Sequence, residues 1–329
     1  MQANPVKQIS HNPDFSSLLP VGNELFMVTQ FESPEPASMY VLSLTQDKAS
    51  CEALARCMHR RVTSLPKPPS PPAPLTPQPR LQLQSTGKLG VTRMQPVDLS
   101  GPAGGAWIMC AGSVSPWNSH LGGEEYEPDA RAFEAATELF KVGNSTTSLQ
   151  TLDPGSFSAI VEKLRCAAAA APAAPPPARP APRCRSHPAP PSLRRFWGLY
   201  ADASTSMAQV RELFNPYRYG ATIEVKVKPG GAYTAKKWFT TGRNAKELVY
   251  VMPDRKTIYI TDDGERVGFY KMVLDYAEDM SSGTIYAAKM TQMSAANGGT
   301  FSIEWIRMGY ATQGQLEVRR GRQWEHNVW

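Results

Sequence analysis

The sequence predicts an all-β protein with helical connections and two proline-rich insertions. Between residues 247 and 306, runs of β-branched and aromatic residues begin about 10 to 17 residues apart. Turn-forming residues separate them, and 17 of the 30 prolines are confined to two short tracts.

The strand runs are Glu247–Met252, Thr257–Thr261, Val267–Val273, Thr284–Ala288 and Phe301–Ile306. Their separators are Pro253–Lys256, Asp262–Gly264, Ser281–Gly283 and Asn297–Gly299, which carry hairpin and turn chemistry. Short antiparallel strands in succession suit a sandwich or a propeller, and the pattern alone leaves both open. Two helical connections are expected. In Asp129–Lys141, Phe133, Ala136 and Phe140 stand near helical spacing, and in Ser204–Phe214, Met207, Val210 and Phe214 share a face.

Residues 66–79 hold eight prolines and residues 166–195 hold nine. Such tracts cannot bury enough apolar surface to offset the entropy of ordering, so they are expected to be disordered, extended linkers. The second contains five arginines and no acid, and without it the formal net charge falls from +6 to +1. The basic character is therefore a property of a linker. Neither tract interleaves aromatics with its charge, so no nucleic-acid partner is expected. No window approaches the roughly 18 apolar residues of a membrane span, and the first residues lack an apolar leader, so no membrane partner is expected either. Asn144–Thr146 is a glycosylation sequon, which matters only in an exported chain.

Several chemistries fall away on spacing. The five cysteines form no C-x-x-C pair and the five histidines no H-E-x-x-H, which excludes the usual zinc sites. Ser85–Leu89 is not a phosphate-binding loop, and Gly112–Ser115 is out of register for a nucleophile elbow.

What remains is rich in carboxylates. Glu124 and Glu125 are adjacent at the end of an apolar, glycine-punctuated run, Trp107–Arg131. An extended strand turns neighbouring side chains to opposite faces, so a shared site requires the backbone to bend, and Gly122–Gly123 supplies freedom for a bend. A hard cation would relieve the repulsion. Asp262 and Asp263, in an Asp-Asp-Gly turn, and Glu247 extend the set of candidate metal ligands.

The order of residues from Cys110 through Pro116, Trp117, Asn118, His120, Glu124, Glu125, Tyr126, Pro128 and Asp129 to Arg131 resembles the PhoX-type alkaline phosphatases. Further pieces lie in the same order: Asn12–Leu18, Val21–Val28, Phe31–Pro34, Phe214–Gly220, Gly242–Arg243 with Glu247–Leu248, Tyr259–Gly264 and Gly283–Lys289. The resemblance covers about two thirds of the chain and implies a β-propeller, with residues 1–50 giving its opening strands. It places a proline-rich insertion at 51–95, the Glu-Glu segment at 96–165, a linker at 166–195 and further blades at 196–329, incomplete at the C-terminal end.

The resemblance also implies a monomeric hydrolase of phosphomonoesters. Calcium would be held by Glu124, Glu125, Glu247, Asp262 and Asp263, with Asn118 and Arg243 on the substrate phosphate. Relatives that bind iron carry a cysteine before the Glu-Glu pair, where this chain has Gly123, so iron is in doubt. Lys246 and Gln30 stand where the family often has histidine. The family is typically exported. A non-catalytic or fragmentary propeller is the second expectation, because further blades would bring further ligands.

Overall fold

The computed structural model describes residues 12–32, 37–46, 89–99, 105–141, 143–157, 160, 206–265 and 267–321. Both proline-rich tracts fall outside them, as does the expected linker character of each. Among the described residues no helix is long and apolar enough to cross a membrane.

Three antiparallel sheets carry the fold, each built of strands consecutive in the chain, and none is closed on itself. The first is β1 (Pro13–Val21), β2 (Glu24–Phe31), β3 (Ser38–Gln46) and β4 (Leu89–Pro96). The second is β5 (Met109–Val114), β6 (His120–Glu124), β7 (Thr222–Val227) and β8 (Tyr233–Trp238). The third is β9 (Lys246–Val251), β10 (Thr257–Asp262), β11 (Phe269–Tyr276), β12 (Asp279–Ser294) and β13 (Thr300–Thr312).

The all-β expectation holds, with two local corrections. Ser281–Gly283 is strand rather than turn. A Cβ on Gly283 would lie 2.5 Å from the Val273 carbonyl oxygen, so this glycine serves close approach, and the chain reverses at Glu278, with φ 67°. The helix expected over 129–141 is shorter. Asp129 caps α1 (Ala130–Ala135), and Ala136 leaves the helix at ψ 127° because Thr137 and Glu138 bond to Thr147 and Leu149 instead. Phe133 and Ala136 still reach the core built around Trp107. A single turn, α2 (Leu149–Leu152), follows, and α3 (Met207–Leu213) begins at a capping box between Ser206 and Gln209. The last helix is α4 (Gln313–Gly321).

The sheets stack face to face. Leu19, Phe26, Val28, Met39 and Val41 of the first sheet pack on Met109, Ile223 and Val225 of the second. On its other face the second sheet sets Leu121 and Trp238 against Val249, Ile258, Ile260 and Met272 of the third. This stacking brings the first strand of each sheet together, with β5 in contact with both β1 and β9.

Two buried polar contacts fix the first interface. His120 is fully buried, receives a hydrogen bond from Ser17 Oγ at Nδ1 (2.8 Å) and donates from Nε2 to Gln30 Oε1 (2.8 Å). Burial pushes its pKa down to about 3, so the ring is neutral.

Gly122 and Gly123 serve this packing. Neither has a positive φ, and both lie within β6. A Cβ on Gly122 would lie 2.1 Å from Gln30 Oε1, and one on Gly123 would lie 2.5 Å from the Lys246 carbonyl oxygen. We therefore expect Gly123→Ala to lower stability by about 1–3 kcal/mol through overpacking. Gly123→Cys should do so at least as strongly, with no gain of a metal-binding thiolate. Urea unfolding of the two variants measures this.

Candidate metal centre

Because β6 stays extended, Glu124 and Glu125 point to opposite faces. Glu124 is fully buried and its carboxylate is taken up by protein donors. Trp107 N (2.8 Å) and Lys237 Nζ (2.7 Å) donate to Oε1, and Ala221 N donates to Oε2 (3.0 Å). Lys237 is equally buried and lies 4.8 Å from the centre of the Tyr219 ring. Glu124 is thus engaged in an ion pair with Lys237 and, unlike Glu125, lies outside the grouped ligand atoms.

Glu125 points the other way, between sheets. It is 2 % exposed, and its Oε2 is buried without a hydrogen-bond partner. One ligand atom each from Glu125, Glu247 and Asp263 all lie within 4.8 Å of one another, as do those from Glu32, Cys110 and Glu125. Two oxygens on one calcium ion, each about 2.3–2.6 Å from it, stand up to about 5 Å apart, so both groups fit a shared cation. Cys110 Sγ also donates to Glu247 Oε2 at 3.5 Å, and Asp14 lies within hydrogen-bond reach of Cys110 and Gln30.

The six residues occupy equivalent places in the three sheets. Asp14, Cys110 and Glu247 are each the second residue of a first strand, β1, β5 and β9. Glu32, Glu125 and Asp263 each directly follow a second strand, β2, β6 and β10. The same backbone hydrogen bond secures each pair: Glu32 N to Asn12 O (3.0 Å), Glu125 N to Ile108 O (2.8 Å) and Asp263 N to Ala245 O (2.9 Å). Since the first strands lie side by side, the repeated placement gathers three pairs of side chains at one end of the stack.

The electrostatics show the strain of that gathering. Burial, with hydrogen bonding to Asp263 and the charge of Glu247 adding to it, pushes Glu125 up to about 7. Burial and the neighbouring Asp14, Glu247 and Asp263 also raise Glu32, and burial raises Asp14 and the Cys110 thiol. Asp263 is held low by hydrogen bonds from Tyr126 and Glu125. Glu125 is therefore the member that keeps a proton near neutral pH, shared with Asp263.

The remaining expected residues lie elsewhere. Asp262 accepts from Asn244 Nδ2 (3.2 Å) and Gly268 N (3.3 Å) and is outside the grouped set. Arg243 donates to Pro128 O and pairs with Glu127 at 3.5 Å, so it anchors the segment that follows Glu125. Asn118, at φ 61°, closes the β5–β6 turn and donates to Pro20 O (2.8 Å). The length of β6, about 16 Å of extended chain, separates it from Glu125. Cys110, Glu32 and Asp14 were not singled out from the sequence. The signal available was positional: an acid follows each second strand.

Two expectations follow. Glu124→Gln should cost about 3–5 kcal/mol by stranding a buried Lys237, yet leave any calcium-induced rise in melting temperature intact. Glu125→Gln should abolish that rise while leaving the metal-free protein at least as stable. The second concerns pH. The folded pKa of Glu125 lies above its unfolded value of 4.5, so its contribution to stability is complete below about pH 4.5 and is lost as pH rises through about 7. Relative to Glu125→Gln, the metal-free protein should lose stability across that window, and saturating calcium should remove the loss. Melting curves of both proteins from pH 4 to 8 measure it.

Comparisons of the chain with family models, with curated proteins and with solved structures each find no match.

Proposed function

We propose that the chain is a PhoX-type, metal-dependent hydrolase of phosphomonoesters, with its three sheets as successive propeller blades. The observation that carries this reading is the repeated placement of ligand-capable side chains at equivalent positions of three sheets. Meander sheets with adjacent first strands support the blade reading.

Calcium suits the predominance of carboxylate oxygens, with Glu125, Glu247 and Asp263 as its holders. Cys110 adds a soft donor beside Glu32 and Glu125, so the thiolate lacking at position 123 has a substitute directly across the β5–β6 ladder, which reopens iron as a second ion. A bound cation there would neutralise phosphate oxygens and acidify a bound water. The chain's own residues contribute positioning. Tyr126, bonded through its hydroxyl to Asp263 and through its carbonyl to Trp107 Nε1 (2.8 Å), fixes the turn that aims Glu125.

The second reading, a non-catalytic propeller derivative that binds metal, is favoured by one observation. The two residues expected to bind phosphate, Asn118 and Arg243, are both committed to backbone carbonyls. An assay with p-nitrophenyl phosphate at alkaline pH, with and without calcium, separates the readings. We expect weak turnover that requires calcium and is lost in Glu247→Gln. Calcium binding without any turnover would support the second reading, and indifference to calcium would sink both.

A further inference from the structure

A bulge in β5 sits next to Cys110, one of the grouped ligand residues. The β5–β6 register pairs Cys110 with Gly123 and Gly112 with Gly122, so Ala111 is an extra residue in β5. In a regular strand successive carbonyls point to opposite sides. Here the carbonyls of Cys110 and Ala111 converge on one donor, Gln30 Nε2, at 2.6 Å and 3.2 Å. Gln30 is a fully buried residue of β2. Gly122 makes room for it, since a Cβ there would lie 2.1 Å from Gln30 Oε1.

These two carbonyls set the protons of the network behind them. An amide held against two acceptors presents its nitrogen to them, which turns Gln30 Oε1 toward His120 Nε2 at 2.8 Å. Nε2 therefore carries the imidazole proton, Nδ1 is bare, and Ser17 Oγ donates to it at 2.8 Å. Phe15 stacks on the imidazole, with ring centres 5.6 Å apart. Ser17, Gln30 and His120 are each at most 1 % exposed, so bulk water does not compete for these bonds. The chain of bonds runs from Ser17 through His120 and Gln30 to the Ala111 bulge.

We propose that Gln30, oriented by His120, is a positioning residue for Cys110: it holds the Ala111 bulge and so aims the thiol at Glu32 and Glu125. The inference rests on the metal-dependent reading above and adds to it the residues that hold its soft donor. A bulge re-aims the side chains beside it. The result is visible at Cys110, whose Sγ lies within 4.8 Å of ligand atoms of Glu32 and Glu125 and 3.5 Å from Glu247 Oε2. Removing the amide takes a donor from two backbone carbonyls in the interior, which favours relaxation of the bulge and withdrawal of the thiol. Partners that orient a metal ligand from behind change metal affinity by about 10- to 100-fold.

The test titrates the metal-free full chain with cobalt(II), because a cobalt–thiolate bond adds a charge-transfer absorbance that carboxylates do not give. The calcium-induced shift in melting temperature is the second readout. The wild type should show the band and Cys110→Ser should lose it, which assigns it to this thiol among the five cysteines. Gln30→Met should bind cobalt at the thiol about 10- to 100-fold more weakly, while calcium still raises its melting temperature through Glu125, Glu247 and Asp263. Ser17→Ala removes the far bond of the same network. It should lower the metal-free melting temperature and leave the cobalt–thiolate affinity unchanged. If Gln30→Met does not fold, His120→Leu, which keeps the amide and removes what orients it, should show the same loss in smaller measure. Wild-type cobalt affinity in Gln30→Met, or in His120→Leu in its place, would overturn the proposal. An equal loss in Ser17→Ala would also overturn it, since the network would then act through stability alone. A wild type with a calcium response but no Cys110-dependent band would overturn the proposal and leave the calcium reading standing, whereas the lack of both would remove both.

Discussion

The close approach of β1, β5 and β9 is the constraint on which the rest of the structure depends. Glycine is required where these sheets meet, since at Gly123 the neighbouring Lys246 carbonyl leaves no room for a Cβ. Buried His120 ties the second sheet to Ser17 and Gln30 of the first, and Ser113 Oγ donates to the Val249 carbonyl of the third. With the first strands held together, any side chain at a fixed place in each sheet reappears at one common location. Six such side chains from three sheets become neighbours without any local sequence motif linking them.

Gathering them is unfavourable in the absence of a cation. Glu125 has an unpartnered buried oxygen and a pKa raised to about 7, and Glu32 and Asp14 are raised beside it. The fold offsets this strain with fully satisfied charge nearby. Glu124 with Lys237 forms a pair buried on both sides, and Glu224 accepts from Trp117, Ser119 and Trp238. Those contacts tie β6, β7 and β8 together beside Glu125. The ion-paired Glu124 and the candidate ligand Glu125 are thus neighbours in the chain.

The strands of the third sheet were legible in the sequence because β-branched and aromatic runs are a local property, as were the apolar faces of Met207, Val210 and Phe214. The Asp129 helix was legible at its start, where the cap is local, and not at its end, where pairing with Thr147 and Leu149 decides. Of the carboxylates named from sequence, Glu125, Glu247 and Asp263 lie together in the structure. The Lys237 partner of Glu124 was not legible, because the glycines before it were read as conformational freedom, whereas the space around them is filled by neighbouring atoms. Cys110, Glu32 and Asp14 were missed because their meaning is set by equivalence between sheets far apart in the chain.

The central claim is that these three sheets jointly hold a cation. A crystal structure of the protein soaked with manganese as a calcium substitute, with the ion located by its anomalous scattering, tests it directly. The account predicts density bonded to Glu125, Glu247 and Asp263, with Glu124 still on Lys237. Manganese bound only elsewhere, or a Glu125 carboxylate turned away from Glu247 and Asp263, would contradict it.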